Sequence, residues 1–278
     1  MPTVNYAALT WDEAENRKYE YGVSKGVLYV MNDNGTYGAG KAWNGLTNIT
    51  DQPEGADINK MYADGIYYAG IRGAEEYHAS IEAYTYPDEF AACDGSAEPI
   101  TGMYVGQQNR KKFGLCWRTE IGNANTDKLG YKIHVAYGLS ASPTEKAHDT
   151  VNDSPEANPW SWDTEGTPVP MTGYKPTAKL EFDSTKLEFD STKLGATKMA
   201  ALEALLYGTA GSATYTEFTG STFVYGTKYY EEDDGVYFET EDTTPNVSKT
   251  YYTKSSTGGN AASLPTPDAI LLALQSAT

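Results

Sequence analysis

Short runs in which apolar and polar side chains alternate dominate the first 180 residues. A period of two sends successive side chains to opposite faces of a strand. "EYHASIEAYTYP" sets Tyr77, Ala79, Ile81 and Ala83 against Glu76, His78, Ser80 and Glu82. "RKKFGLCWRTEIGN" sets Phe113, Leu115, Trp117, Thr119 and Ile121 against Arg118 and Glu120. "KLGYKIHVAYG" directs Leu129, Tyr131, Ile133, Val135 and Tyr137 inward and Lys132 and His134 outward. The polar loop "GNANTDKLG" joins the last two. The pattern predicts an antiparallel meander with one face in water. "KGVLYVMNDNG" adds a strand that ends in turn residues.

Helical signals are few. "YPDEFAACDG" has Pro87 at a first helical position, acids behind it and Gly95 as a stop. "TKMAALEALLYG" predicts a helix near 197–207, with Met199, Leu202, Leu205 and Leu206 as its apolar stripe and Gly208 as its cap. "LPTPDAILLALQ" ends the chain as a short apolar strand or helix that docks. The expected fold is mainly β: a β-sandwich or open barrel of antiparallel strands with one flanking α-helix.

One stretch fits neither period. "KLEFDSTKLEFDSTKL", Lys179–Leu194, writes seven residues twice and begins a third copy. On one strand, Leu187 and Phe189 would face away from Leu180 and Phe182. On a helix, the leucines align while Phe182 and Phe189 fall on the other side. Asp-Ser-Thr is turn material. A turn at Asp183–Lys186 makes two short strands; alternatively, one copy pairs and the other loops out. A tandem duplication at a strand-to-helix junction explains both, because extra loop length costs only ~0.6 kcal/mol per doubling.

The C-terminal third differs in composition. Ala213–Lys254 holds seven tyrosines, and "TFVYGTKYYEEDDGVYFETE" reads as a hairpin around Asp234-Gly235. The expected organisation is a β domain over 1–212, an inserted Tyr-rich hairpin module over 213–254, and a linker and docking segment over 255–278. The net charge of −17 disfavours binding to duplex nucleic acid or anionic membrane. Two cysteines, Cys93 and Cys116, are too few for a disulfide scaffold. Neither a signal peptide nor an apolar run of ~20 residues is present, which predicts a soluble chain made in a reducing compartment.

Catalytic constellations are scarce. His78, His134 and His148 lack metal-ligand spacing, and the first two fall on polar strand faces. Cys116 between Leu115 and Trp117 reads as a packed thiol. Asp88, Glu89 and Asp94 imitate a glycosidase pair but also suit the first turn of a helix. Gly102 and Gly106 lack the lysine and helix of a phosphate loop. Asn109–Lys112, the basic cluster "NRKK", suits a partner's acidic patch.

Several phrases point to a family. "AWNGLT", "YADGI", "EEYHASIEAYTYPDEFAACDG", "VGQQNRKKFGLCWRT", "NDSPEA" and "GYKPTAKLEFDST" occur in that order. Together they resemble the major tail tube protein of long-tailed (siphovirus-type) bacteriophages. The resemblance spans about Trp11–Gly208 and the final "LPTPDAI". The doubled KLEFDST and the Ala213–Lys254 module depart from it. It implies a structural virion protein: β-sandwiches flanked by a helix, with a long hairpin or loop, that assemble into stacked rings, usually of six. The resulting hollow tube delivers phage DNA to the host cell. No catalytic residue and no cofactor is implied. The implied partners are further copies of the chain, tail terminator and distal tail proteins, and a tape measure protein and genomic DNA that pass through the lumen; no membrane is involved. The implied location is the phage tail of the virion, after synthesis in the host bacterial cytoplasm.

Such a tube needs one contact that closes a ring and another that stacks without closing. Candidate lumen-facing acids are Glu76 and Glu82, or Glu120. Candidate stacking residues lie in the loop Gly122–Lys128, at Asn123, Asn125, Asp127 and Lys128, together with the N-terminal arm through Arg17. Removing Met1–Asp12 is expected to block polymerisation and leave the monomer folded. The Tyr-rich module is expected to decorate the outside. Two rival readings are a soluble carbohydrate-binding adhesin module that uses those tyrosines and a hydrolase that uses Asp88–Asp94.

Overall fold

The computed structural model describes residues 11, 13–144, 150, 157, 159–186, 195–224, 227–233, 236–240, 242–246 and 248–277. The arm before Glu13 (Trp11 apart), His148, most of "NDSPEA", the second KLEFDST copy after Lys186 and the Asp234-Gly235 turn lie outside the described residues. The chain divides into two compact units, 1–207 with 262–278, and 208–261.

The fold is mainly β, with antiparallel sheets and few helices. In the larger unit the strands are β1 (Lys18–Val30), β2 (Lys41–Trp43), β3 (Leu46–Asp51), β4 (Glu54–Gly55), β5 (Ile58–Ala63), β6 (Ile66–Arg72), β7 (Glu75–Ala83), β8 (Ala97–Ile100), β9 (Met103–Val105), β10 (Phe113–Asn123), β11 (Gly130–Pro143), β12 (Trp160–Gly166) and β13 (Lys179–Asp183). The helices are α1 (Ala91–Asp94), α2 (Ala196–Tyr207) and α3 (Pro267–Ser276). The main sheet runs β2-β1-β10-β11-β12-β7-β3, with β13 paired to β11 and β4 to β7. β5–β6 and β8–β9 are separate two-stranded hairpins.

β11 joins two parts of the main sheet by changing partners. Lys132–Ala136 pair with β13, whereas Leu139–Pro143 pair with β12. The switch falls at Gly138, whose φ is +61°. A Cβ there would lie 2.7 Å from the Thr167 carbonyl oxygen, so glycine suits both the conformation and the space.

Two apolar clusters cover the two faces of this sheet. Leu28, Trp43, Ile81, Phe90, Phe113, Leu115, Trp117, Leu139 and Trp162 fill the interior. Val27, Tyr29, Cys116, Ile133, Val135 and Tyr137 face outward under Met199, Leu202 and Leu206 of α2 and Ile270 and Leu274 of α3. The expectation of a one-faced meander is therefore corrected. Helices cover the second face, and β10 and β11 are apolar on both sides. The inward residues of β10 and of the first half of β11 serve different clusters. Leu129, expected inward, is exposed.

The helix expected near 197–207 forms as α2, and the C-terminal segment is a second packed helix, so there are two flanking helices rather than one. Thr266 caps α3 by accepting from the Ala269 amide, and Pro267 starts it. The Tyr29 hydroxyl donates to the Leu206 carbonyl, and that of Tyr137 to Pro265 at 3.1 Å. These bonds fasten both helices to the sheet. The first KLEFD copy is β13, and Ser184–Lys186 continues it as a 3-10 turn.

The smaller unit is a four-stranded sheet of β14 (Ser212–Phe218), β15 (Tyr229–Asp233), β16 (Val236–Glu239) and β17 (Tyr251–Thr257), in the order β14-β17-β15-β16. Phe218, Tyr229 and Tyr251 pack with Phe223 on one face. Tyr215, Tyr230, Tyr237 and Tyr252 cluster on the other.

Candidate functional site

Register decides which acids share a surface. β7 pairs with β12 so that Glu82 lies opposite Ser161, Ser80 opposite Asp163, and His78 opposite Glu165. β3 adds Asn48 and Thr50 to the same side, and β4 adds Glu54 beside Glu76. The intervening residues Ala79, Ile81 and Ala83 point into the core. The result is a sheet face carrying Glu54, Glu76, Glu82, Asp163 and Glu165, with small polar residues and His78 between them. No lysine or arginine occupies these strand positions.

Glu76 and Glu82 thus belong together, and Asp163 and Glu165 join them. Glu120 does not. It lies on the side that α2 covers, 2.9 Å from Arg118, which also approaches Glu203 of α2 at 3.8 Å. Asp163 and Glu165 were legible as acids alternating with Trp162 and Thr164, but nothing local pairs that strand with β7.

Two hairpins expose apolar side chains. In β5–β6, Ile58, Met61, Tyr62, Ile66, Tyr67, Tyr68 and Ile71 are all exposed, with Tyr68 at 70%. Asp64 and Gly65 both have positive φ, as a tight two-residue turn requires. In β8–β9, Ile100, Met103, Tyr104 and Val105 are exposed, and Gly102 forms the turn. The sequence signal for the first hairpin was Asp-Gly flanked by strand-forming residues; the exposure of its apolar side chains was not legible.

The loop Gly122–Lys128 closes on itself. The Asn123 side-chain oxygen accepts from the Asn125 and Thr126 amides at 3.0 and 2.8 Å, and Asn123 is buried. Asp127 accepts from the hydroxyl of Tyr19 at 3.1 Å. Asn125 and Lys128 remain exposed.

No protein-family model matches the chain, and no curated protein matches it. The arrangement of its side chains therefore carries the functional reading.

The residues that imitate chemistry are engaged elsewhere. Glu89 pairs with Lys41 at 2.7 Å, and the lysine's hydrogen bond holds the Glu89 carboxyl below its usual range. Asp94 accepts from the Trp162 indole at 2.9 Å. Burial pushes both Cys93 and Cys116 up to about 12, so each is a protonated thiol. The basic cluster is exposed and also makes contacts within its own chain. Arg110 donates to the Asp94 carbonyl, Lys111 lies 3.3 Å from Asp33, and Lys112 donates to Thr167 at 2.8 Å.

His134 is the clearest departure from the pattern. It is 4% exposed, not solvated. Its ring stacks on Trp117 with centroids 5.1 Å apart. Nε2 lies 2.9 Å from Thr119 Oγ1 and 3.0 Å from Glu20 Oε1, and Nδ1 lies 3.4 Å from Glu181 Oε1. Burial, with help from the nearby Lys179 ammonium, holds its pKa below the usual value against the opposing carboxylates. Glu20 also pairs with Lys132 at 2.7 Å, and Lys179 with Glu181 at 2.7 Å and with Asp51. Together these groups form a polar layer at one end of the interior.

Proposed function

We propose that the protein is a structural subunit that self-assembles into stacked rings, forming the hollow tail tube of a long-tailed bacteriophage virion. The observation that carries this reading is the β5–β6 hairpin, with seven apolar side chains in water. Full burial of each such side chain stabilises by roughly 1.5–3 kcal/mol, so the hairpin gains from a second copy that covers it. A heterologous contact of this kind, repeated without closure, stacks subunits into a filament. The acidic face supplies the second requirement. Lining the bore, it repels DNA phosphates, and its strand positions offer them no lysine or arginine. Six copies would carry on the order of −100 formal charges. Genomic DNA and a tape measure protein pass such a lining without a specific site. The subunit works by geometry and charge, without a catalytic residue or cofactor.

The carbohydrate-binding alternative needs open tyrosine faces. In the smaller unit, Tyr215 and Tyr237 stack on each other at 3.9 Å, and Tyr230 and Tyr252 pack edge-on against them. These contacts occupy ring surface that a sugar would need. Electron microscopy of the purified full chain tests the proposal. Hollow filaments of uniform width are expected. Monodisperse single subunits at all concentrations, with glycan binding, would favour the alternative.

A further inference from the structure

The polar layer contains more than an ion pair requires. Lys179 Nζ touches Asp51 Oδ2 and lies 2.7 Å from Glu181 Oε1. The Tyr77 hydroxyl donates to the other carboxylate oxygen, Asp51 Oδ1, at 2.6 Å. The Trp117 ring lies 5.9 Å from the ammonium. Lys179 begins β13 and Asp51 ends β3, strands that share no ladder of hydrogen bonds.

We propose that Lys179 and Asp51 condense into an intramolecular isopeptide bond, with Glu181 as the proton shuttle and Tyr77 as the donor to the oxyanion. Lys179 Nζ gives a proton to Glu181, and the freed amine attacks the Asp51 side-chain carbonyl carbon. A C–N bond forms, and the Tyr77 hydroxyl stabilises the charge on Oδ1. Glu181 passes its proton to Oδ2 and takes the second proton from the nitrogen. It delivers that proton as the C–Oδ2 bond breaks, so Oδ2 leaves as water and Glu181 returns to its carboxylate. Ammonium and carboxylate become one neutral amide and one water, and no electrons are exchanged. The fold holds the reacting groups in contact, which removes the entropic cost of bringing them together.

Two other paired lysines among the described residues lack this arrangement. Lys41 faces Glu89 with both side chains largely in water. Lys249 meets Glu231 and Asp242, with Tyr251 nearby. There, however, lysine and tyrosine bind the same oxygen, Asp242 Oδ2, and the lysine side chain is 41% exposed against 19% for Lys179. The bond would staple edge strand β3, which leads into the exposed hairpin, to β13. It follows from the fold of the larger unit and does not depend on the tube reading.

The test is the intact mass of the denatured full chain. The expected mass is below that of the sequence by one water, and fragmentation should find the Lys179 peptide joined to the Asp51 peptide. Lys179→Arg should restore the full mass. Glu181→Gln, which keeps the shape of the shuttle residue, should stay uncrosslinked while folding normally. A full-mass chain after prolonged incubation across neutral and mildly acidic pH would overturn the proposal. So would a water loss confined to one peptide, such as a succinimide at Asp64-Gly65, or one that maps to Lys249.

Discussion

At the residue scale, the polar layer makes His134 a reporter of protonation. The charged groups around it are Glu20 from β1, Lys132 on its own strand, Lys179 and Glu181 from β13, and Asp51 from β3. A histidine whose folded pKa is depressed stabilises the fold while neutral. That contribution is present above the unfolded value of about 6.5 and is lost as pH falls through the folded value. Glu20 acts with the same sign, and so does Glu181 while Lys179 is still an ammonium. Burial pushes each up, but hydrogen bonds, chiefly from Lys132 and Lys179 respectively, outweigh it and lower both. Their contribution is present above about 4.3 and is lost at lower pH. The melting temperature of the larger unit should therefore fall in two stages as pH drops from 7 to below 4. His134→Gln should flatten the first stage and spare the second. Parallel profiles for the two proteins between pH 7 and 5 would rule out this role for His134.

At the element scale, the β5–β6 hairpin and the pair α2 and α3 have opposite fates. The helices bury Met199, Leu202, Leu206, Ile270 and Leu274 against the sheet, and truncating one such leucine to alanine typically costs about 2–5 kcal/mol. The hairpin buries almost nothing, so polar substitutions there should leave the subunit's stability nearly unchanged. Ile58→Thr, Ile66→Thr and Ile71→Thr together are expected to shift the melting temperature little and to abolish filaments. Sedimentation velocity and electron microscopy read the two effects separately. A triple variant that still forms normal filaments would remove the hairpin from the stacking contact.

At the scale of the whole molecule, the net charge of −17 matters less than its distribution. The acidic face gathers its carboxylates on strand positions that hold no lysine or arginine, whereas Glu120 is paired with Arg118 under α2. Reversing charge with Glu82→Lys, Asp163→Lys and Glu165→Lys should give filaments that retain duplex DNA, with retention falling steeply as salt rises. Glu120→Lys should break its pair with Arg118 and leave DNA retention unchanged. Co-sedimentation of filaments with labelled DNA at several salt concentrations measures both. Retention that is equal for the two variants would mean that the acidic face does not line the bore.

Local rules settled much of this protein. Alternation placed strands within 76–87, 110–123 and 128–138, where the structure has 75–83, 113–123 and 130–143, and caps and stops placed the helix ending before Gly208. Those signals act over a few residues and need no partner. Pairing needed the tertiary structure, because the strand ladders that join Glu82 to Ser161 and His134 to Glu181 span distances over which the chain gives no local cue. Alternation also leaves open which polar side is covered. His134 sits on a polar stripe in sequence, yet β1, β3 and β13 close over it with charges of both signs, so a group that reads as solvated becomes buried. The same folding left the β5–β6 hairpin, apolar enough to read as core, with no surface among the described residues to cover it.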